Sequence, residues 1–440
     1  MFTNISTHDL YDLASSYPIR SIALLSYAVS TLWGYYLSYR QHRRYKQLDR
    51  PTKLEPYIPA EQYRTSRLYA DAKLKLGFVS SLLSTTMSIL FLTTPLFTFT
   101  WNWAYQFLTR FPSLGAIGEL KVTITLVILS IPFSLITSLP FSIYGTFVIE
   151  ERFGFNKCTP RTFVADTIKG LLLKLLLAPL LTGLVIYVIK HTGPLFYIYL
   201  SIVLFVLSLL FSVIIPNFIM PIFNKFTPIE DDELKEEINK LSQKTNFPIK
   251  EVYQMDASKR SKHSNAFFIG LFPRARKLVL YDTLIEQLDN DEIIAVLAHE
   301  VGHKKKRHTL LMLVLNQVSI VISLFLFSKA LEWKSEIQSE FGLSYCPIVL
   351  SITVFFTILG PSDEFVGLLV NFVLRSFERQ ADRFAVRLGG NVPLDSALIK
   401  LNLENLSDSN PDPLVVVTNY SHPPLLDRLE FIEKERSKVE

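Results

Sequence analysis

The sequence predicts a mostly helical, multi-pass membrane protein of about seven spans, joined to a polar domain that holds a small β-sheet. Three observations carry this prediction. Of 440 residues, 49% are hydrophobic, too many for an ordinary soluble enzyme, while 19% are charged, too many for a bundle of spans alone. Apolar tracts of bilayer-crossing length recur near 19–38, 76–99, 121–146, 168–190, 195–221, 309–331 and 346–374. Between the fifth and sixth of these lies a mixed, polar stretch, 222–308.

The first tract ends in polar aromatic and basic residues without a small-residue cleavage site, so it reads as a retained span rather than a signal peptide. The last is interrupted by Gly360-Pro361-Ser362-Asp363-Glu364, whose carboxylates are costly against lipid and are expected to face a cavity or a helix partner. The loop after the first tract carries Arg40, Arg43, Arg44, Lys46, Arg50 and Lys53, and the loop after the third carries Arg152, Lys157 and Arg161. Positive-inside bias then puts the N-terminus in the lumen, and 222–308 and the C-terminus together in the cytosol. The expected organisation is 1–221, spans one to five; 222–308, a cytosolic domain; 309–376, spans six and seven; and 377–440, a cytosolic part completing the site.

Within 222–308, residues 231–243 have helical periodicity, with Leu234, Ile238 and Leu241 on one face. Residues 252–256, 266–269 and 277–281 read as short strands. A helix opens near Asp291 and runs through His303, capped by Asp289, Asn290 or Asp291. Residues 407–413 read as a turn-rich loop, and the charged last dozen residues as mobile. The mild net charge of +5, spread without a basic face, excludes a nucleic-acid partner, and Cys158 and Cys346, far apart, exclude a disulfide framework or cysteine metal site.

The chemistry lies in His299-Glu300-Val301-Gly302-His303. Histidines four apart on a helix present both rings to one side and can bind one zinc ion. Glu300 points about 100° around the helix, toward a water rather than the metal. Zinc acidifies such a water, and Glu300 would take its proton for attack on a peptide carbonyl. Chance alone produces the pattern in about one chain in a hundred of this length, so a helix with two incidental histidines is the competing reading. A catalytic zinc needs a third protein ligand. Glu378 fits, with Asp382 four residues on as the acceptor for the other nitrogen of a ligand histidine. A solvated acidic pair answering Arg379 and Arg383 fits the spacing equally. His308, after the basic run 304–307, reads as part of a solvated or headgroup-facing surface. His422 and Arg428 could donate to an oxyanion, but the residues alone favour structural roles for both.

Several motifs in one order make the chain similar to a known family. They are Glu150-Glu151-Arg152-Phe153-Gly154-Phe155-Asn156-Lys157, then 216–228 with its Phe-Asn-Lys-Phe-Thr-Pro, then 258–270 with Ser264-Asn265-Ala266-Phe267. To these are added 296–303, 378–382 and 420–429. Together they resemble the CAAX prenyl proteases of the first type, integral-membrane zinc peptidases. The resemblance implies a helical barrel around a water-filled chamber, a zincin-like protease domain with its site at the cytosolic end, and one zinc ion on His299, His303 and Glu378. It also implies Glu300 as catalytic base, Asp382 behind a ligand, His422 and Arg428 at the transition state or substrate, and Asn265, Ala266 and Phe267 as a strand edge that pairs with substrate. Implied substrates are prenylated CAAX proteins that lose three C-terminal residues, with a second, N-terminal cut in a mating-pheromone precursor. The implied location is the endoplasmic reticulum membrane or inner nuclear membrane.

Lys304 departs from the tryptophan many members carry. The chain ends Ser437-Lys438-Val439-Glu440, with no prenylation box of its own. Of three sequons, at Asn4, Asn405 and Asn419, only Asn4 is on the expected lumenal side. Competing expectations are a membrane quality-control protease using the same site, and a catalytically silent receptor or channel.

Overall fold

A computed structural model describes residues 18–270, 277–389 and 393–438; Asn4 lies outside them. The N-terminal half is a set of long helices: α1 (Ile19–Tyr45), α2 (Ala60–Thr93), α3 (Leu96–Thr109), α4 (Glu119–Tyr144), α5 (Pro160–His191) and α6 (Phe196–Ile214). α4 runs on through a π-helical turn, Gly145–Glu150. The C-terminal half adds two more long helices, described below with the domain they enclose. Among the described residues, six helical stretches are long and apolar enough to cross a membrane, beginning at Ala60, Glu119, Pro160, Gly193, His308 and Ile348. The tract near 19–38 forms α1 but is not among the six; serines, tyrosines and Arg20 dilute it. Outward faces are apolar in the way lipid requires. On α5, Leu172, Leu176 and Leu180 form an i, i+4 stripe, each more than 60% exposed.

The polar domain is built on a four-stranded sheet in the order β1-β2-β4-β3, with β1 at Phe226–Pro228, β2 at Glu251–Met255, β3 at Ala266–Ile269 and β4 at Lys277–Tyr281. β2 and β4 are parallel; the other two pairings are antiparallel. The three expected strands are present within one residue of the reading. β1 was not anticipated: three residues ending in proline carry no alternation signal, and proline is tolerated because β1 is an edge. Against the sheet packs α7 (Asp232–Thr245). Asp231 caps it by accepting from Leu234 N–H at 2.9 Å, and Asn246, at φ +46°, ends it in the left-handed conformation. Leu234, Ile238 and Leu241 join Leu278, Leu280, Ile293 and Leu297 in the domain core.

Three helices frame the site: α8 (Asn290–Lys305), α9 (His308–Ala330) and α10 (Ile348–Arg387). α10 runs as one helix through the interruption at Gly360 and Pro361. Proline removes one backbone bond, but packing along α1 holds the helix, and a Cβ at Gly360 would lie 3.0 Å from Ser30 Oγ. Glu364 borders a small pocket of about 230 Å³ between these two helices, with Trp33 and Phe365. The expected mobile tail is corrected. It forms α11 (Leu425–Arg436), and the reason is inward pairing of its charges: Glu435, 1% exposed, binds Arg383 and Arg387, each at 3.1 Å, and Lys438 at 2.7 Å.

A cavity of about 1070 Å³ lies between α1 and α2, with serine, threonine and tyrosine as about half of its lining residues. It reaches His263, Ser264 and Asn405 at the edge of the polar domain.

Candidate metal centre

α8 positions the site. Asp289 and Glu292 form a reciprocal capping box, the Asp289 N–H donating to Glu292 Oε2 at 3.1 Å. Ile293, Ala295, Leu297, Ala298 and Val301 are fully buried, so the helix is fixed in the core and its polar residues can only point one way. It crosses α10 at Gly302, where an added Cβ would lie 3.1 Å from Ala381 Cα and 3.2 Å from its carbonyl oxygen. An alanine there would need the two backbones to shift by a few tenths of an ångström. Backbone cannot yield as a side-chain tip does, so Gly302→Ala is expected to force the helices apart. The expected cost is about 1–3 kcal/mol of stability, together with loss of metal. Thermal unfolding and metal content of the purified variant check both.

The crossing brings three predicted residues together. His299 Nε2 lies 3.4 Å from Glu378 Oε2, His303 Nε2 lies 3.2 Å from Glu378 Oε1, and the two histidine Nε2 atoms are 3.1 Å apart. One donor atom from each of His299, His303 and Glu378 falls within a 4.8 Å cluster. Glu378 Oε2 is buried without a hydrogen-bond partner, as expected of an atom meant for a cation. Two imidazoles and one carboxylate are the donor set of a three-ligand catalytic zinc site, and the residues present fit such an ion.

Both histidines are held from behind. His299 Nδ1 is 2.8 Å from Asp382 Oδ1, and Asp382 accepts two hydrogen bonds from Arg428, at 2.6 and 3.0 Å. Burial favours the neutral His299 ring, but Asp382 and Glu378, against the opposing charge of Arg428, push its pKa up to about 9. A cation binding there competes with that proton. His303 Nδ1 meets His308 Nδ1 at 3.0 Å, and the His308 ring stacks on Phe377 with centroids 4.1 Å apart. His308 is 4% exposed, which corrects its reading as a surface residue. The basic run before it points to solvent, but its burial depends on Phe377, about 70 residues away, which local sequence could not indicate.

Glu300 is half-buried beside the cluster, with no hydrogen-bond or ion-pair partner among the described residues. His422 is exposed, its Nε2 3.4 Å from Glu378 Oε1 and its Nδ1 2.9 Å from Ser421 Oγ. β3 is the outer strand of the sheet. Its inner side pairs with β4, and its outer side has no strand partner among the described residues. Asn265, just before it, is exposed; its Oδ1 accepts from Ala266 N–H at 2.8 Å, which leaves the amide N–H groups outward. Ala266 is buried and Phe267 meets Tyr281 edge-on.

Comparison with known proteins agrees with this geometry. Residues 41–225 match the family described as CAAX prenyl protease N-terminal, five membrane helices, and residues 228–436 match peptidase family M48. A CAAX prenyl protease 1 homolog from Arabidopsis thaliana is 39% identical over 408 residues, covering 92% of this chain and 95% of its own. The chain belongs to the CAAX prenyl protease 1 family. The Saccharomyces cerevisiae CAAX prenyl protease 1 is 34% identical, covering 90% of this chain and 91% of its own. The human homolog is also 34% identical, over 94% of each chain. The crystal structure of S. mikatae Ste24p superposes with a TM-score of 0.87 at 33% identity, over 94% of this chain and 98% of that one. The fold is therefore that of a multi-pass membrane metallopeptidase of this family.

Proposed function

We propose that this protein is a zinc endopeptidase that removes the three C-terminal residues from prenylated CAAX proteins, with its site on the cytosolic face of the endoplasmic reticulum or inner nuclear membrane. The observation that carries the reading is the convergence of His299, His303 and Glu378 beside an uncommitted Glu300 and an open strand edge. The relatives named above act on CAAX proteins by name, and the basic loops after the first and third apolar tracts favour the cytosolic orientation.

His299, His303 and Glu378 would hold the ion, which when bound supplies Lewis-acid polarisation of the scissile carbonyl and acidifies a water. Asp382, fixed by Arg428, holds the His299 ring in place, and His308 does the same for His303. The substrate backbone adds to the outer edge of β3, with Asn265 donating to a substrate carbonyl. Glu300 takes the proton of the attacking water and delivers it to the leaving amine. His422, exposed at the mouth of the site, donates to the developing oxyanion. Arg428, engaged by Asp382, acts as a positioning residue. A second, N-terminal cut in a pheromone precursor uses the same edge, since backbone pairing is indifferent to side chains.

Purified protein should cleave a farnesylated C-terminal peptide, lose this activity in a zinc chelator, and regain it on adding zinc. Undiminished cleavage in the chelator would overturn the reading.

A further inference from the structure

The cavity wall carries a charge that the chemistry above does not use. Among its described residues, Lys73 on α2 is the one lysine or arginine, in a surface of which serine, threonine and tyrosine make about half. The wall's one carboxylate, Asp408, is already answered by Arg67 at 3.1 Å and Gln41 at 2.7 Å. Lys73 is held lightly. Its Nζ donates to Tyr69 OH at 3.2 Å and lies 3.7 Å from Glu150 Oε1, while the side chain is 53% exposed. An ammonium has three donors, so one remains for a ligand. Glu150 is the competing anion, but it accepts from Tyr69 OH at 2.7 Å, lies 3.6 Å from His263 Nε2 and is not among the residues lining the cavity.

Strand direction says what reaches this lysine. β3 runs from Ala266 to Ile269, and its existing partner is antiparallel, the pairing that is more stable per residue. A substrate added antiparallel on the outer edge runs the other way, so its C-terminal residues leave the strand past Ser264 and His263. Both belong to the cavity wall. Asn405 fixes this exit: its Oδ1 accepts from Ser264 N–H at 3.2 Å and lies 3.0 Å from His263 Nδ1. His263 Nε2 is 3.2 Å from Tyr69 OH, and Tyr69 holds Lys73. Three extended residues beyond the scissile bond reach about 10 Å. The path from Asn265 back to His263 covers two residues, about 7 Å, with Tyr69 and Lys73 next.

We propose that Lys73 binds the free α-carboxylate at the substrate's C-terminus, making the His263 end of the cavity the subsite for the released tripeptide. The inference rests on the peptidase reading above. For the C-terminal cut it makes the enzyme measure the distance from the scissile bond to the chain end, which an edge strand alone cannot do.

The test compares kcat/KM for one farnesylated peptide as the free acid and as the C-terminal amide. Wild type should prefer the acid by about tenfold, the value of one hydrogen bond to a charged group. Lys73→Met should bring the acid-to-amide ratio close to one, and Lys73→Arg should keep it. Because each ratio comes from one preparation, the folded fraction cancels. An unchanged ratio in Lys73→Met, or no preference in wild type, overturns the inference while leaving the peptidase reading intact. Wild type that cleaves neither peptide overturns both.

Discussion

Glu300→Gln should lower peptide hydrolysis by about a thousandfold while the protein still binds one metal ion per chain. The two readouts separate because Glu300 is not among the three donors that converge. It projects about 100° from His299 around α8, and no neighbouring donor holds it among the described residues. Glutamine keeps the shape and the buried packing of α8 but cannot accept a proton from water. Metal content and kcat of the purified variant decide the matter. Loss of metal together with activity would make Glu300 a ligand or a structural residue instead of a base.

Glu378→Ala should do the opposite and empty the site. Residues behind the ligands cost about 10–100-fold in metal affinity when removed, so loss of a ligand should exceed that, about 100-fold or more, with activity lost in parallel. The carboxylate spans both histidines, at 3.4 and 3.2 Å, and water cannot replace its charge. Asp382 sits one helical turn further on but is locked by Arg428 and cannot swing in. Metal titration of the variant reads this directly; full occupancy at wild-type affinity would refute the ligand assignment.

Sequence alone carried the site further than it carried the fold around it. The His299–His303 spacing, the capping residues before it and the 266–269 strand are local, so periodicity and turn chemistry exposed them. Glu378 and Asp382 could be proposed from spacing but not distinguished from a surface pair, since their burial depends on α8 lying across α10 at Gly302. That glycine was visible only as a letter inside the motif, and a glycine in a helix interior is the signal that marks a close approach. His308 and the tail helix were misread for one reason: a charged or polar residue reads as exposed until its partner, Phe377 or Arg383, is known.

The central claim is removal of the three C-terminal residues of a prenylated CAAX protein by the metal held on His299, His303 and Glu378. Mass spectrometry of the products from a farnesylated CAAX peptide, using purified protein with and without chelator, tests it most directly. The prediction is one cut, releasing an intact tripeptide and leaving the prenylated cysteine as the new C-terminus, absent in chelator and restored by zinc. Cleavage at other positions, or the same products from chelator-treated protein, would contradict it.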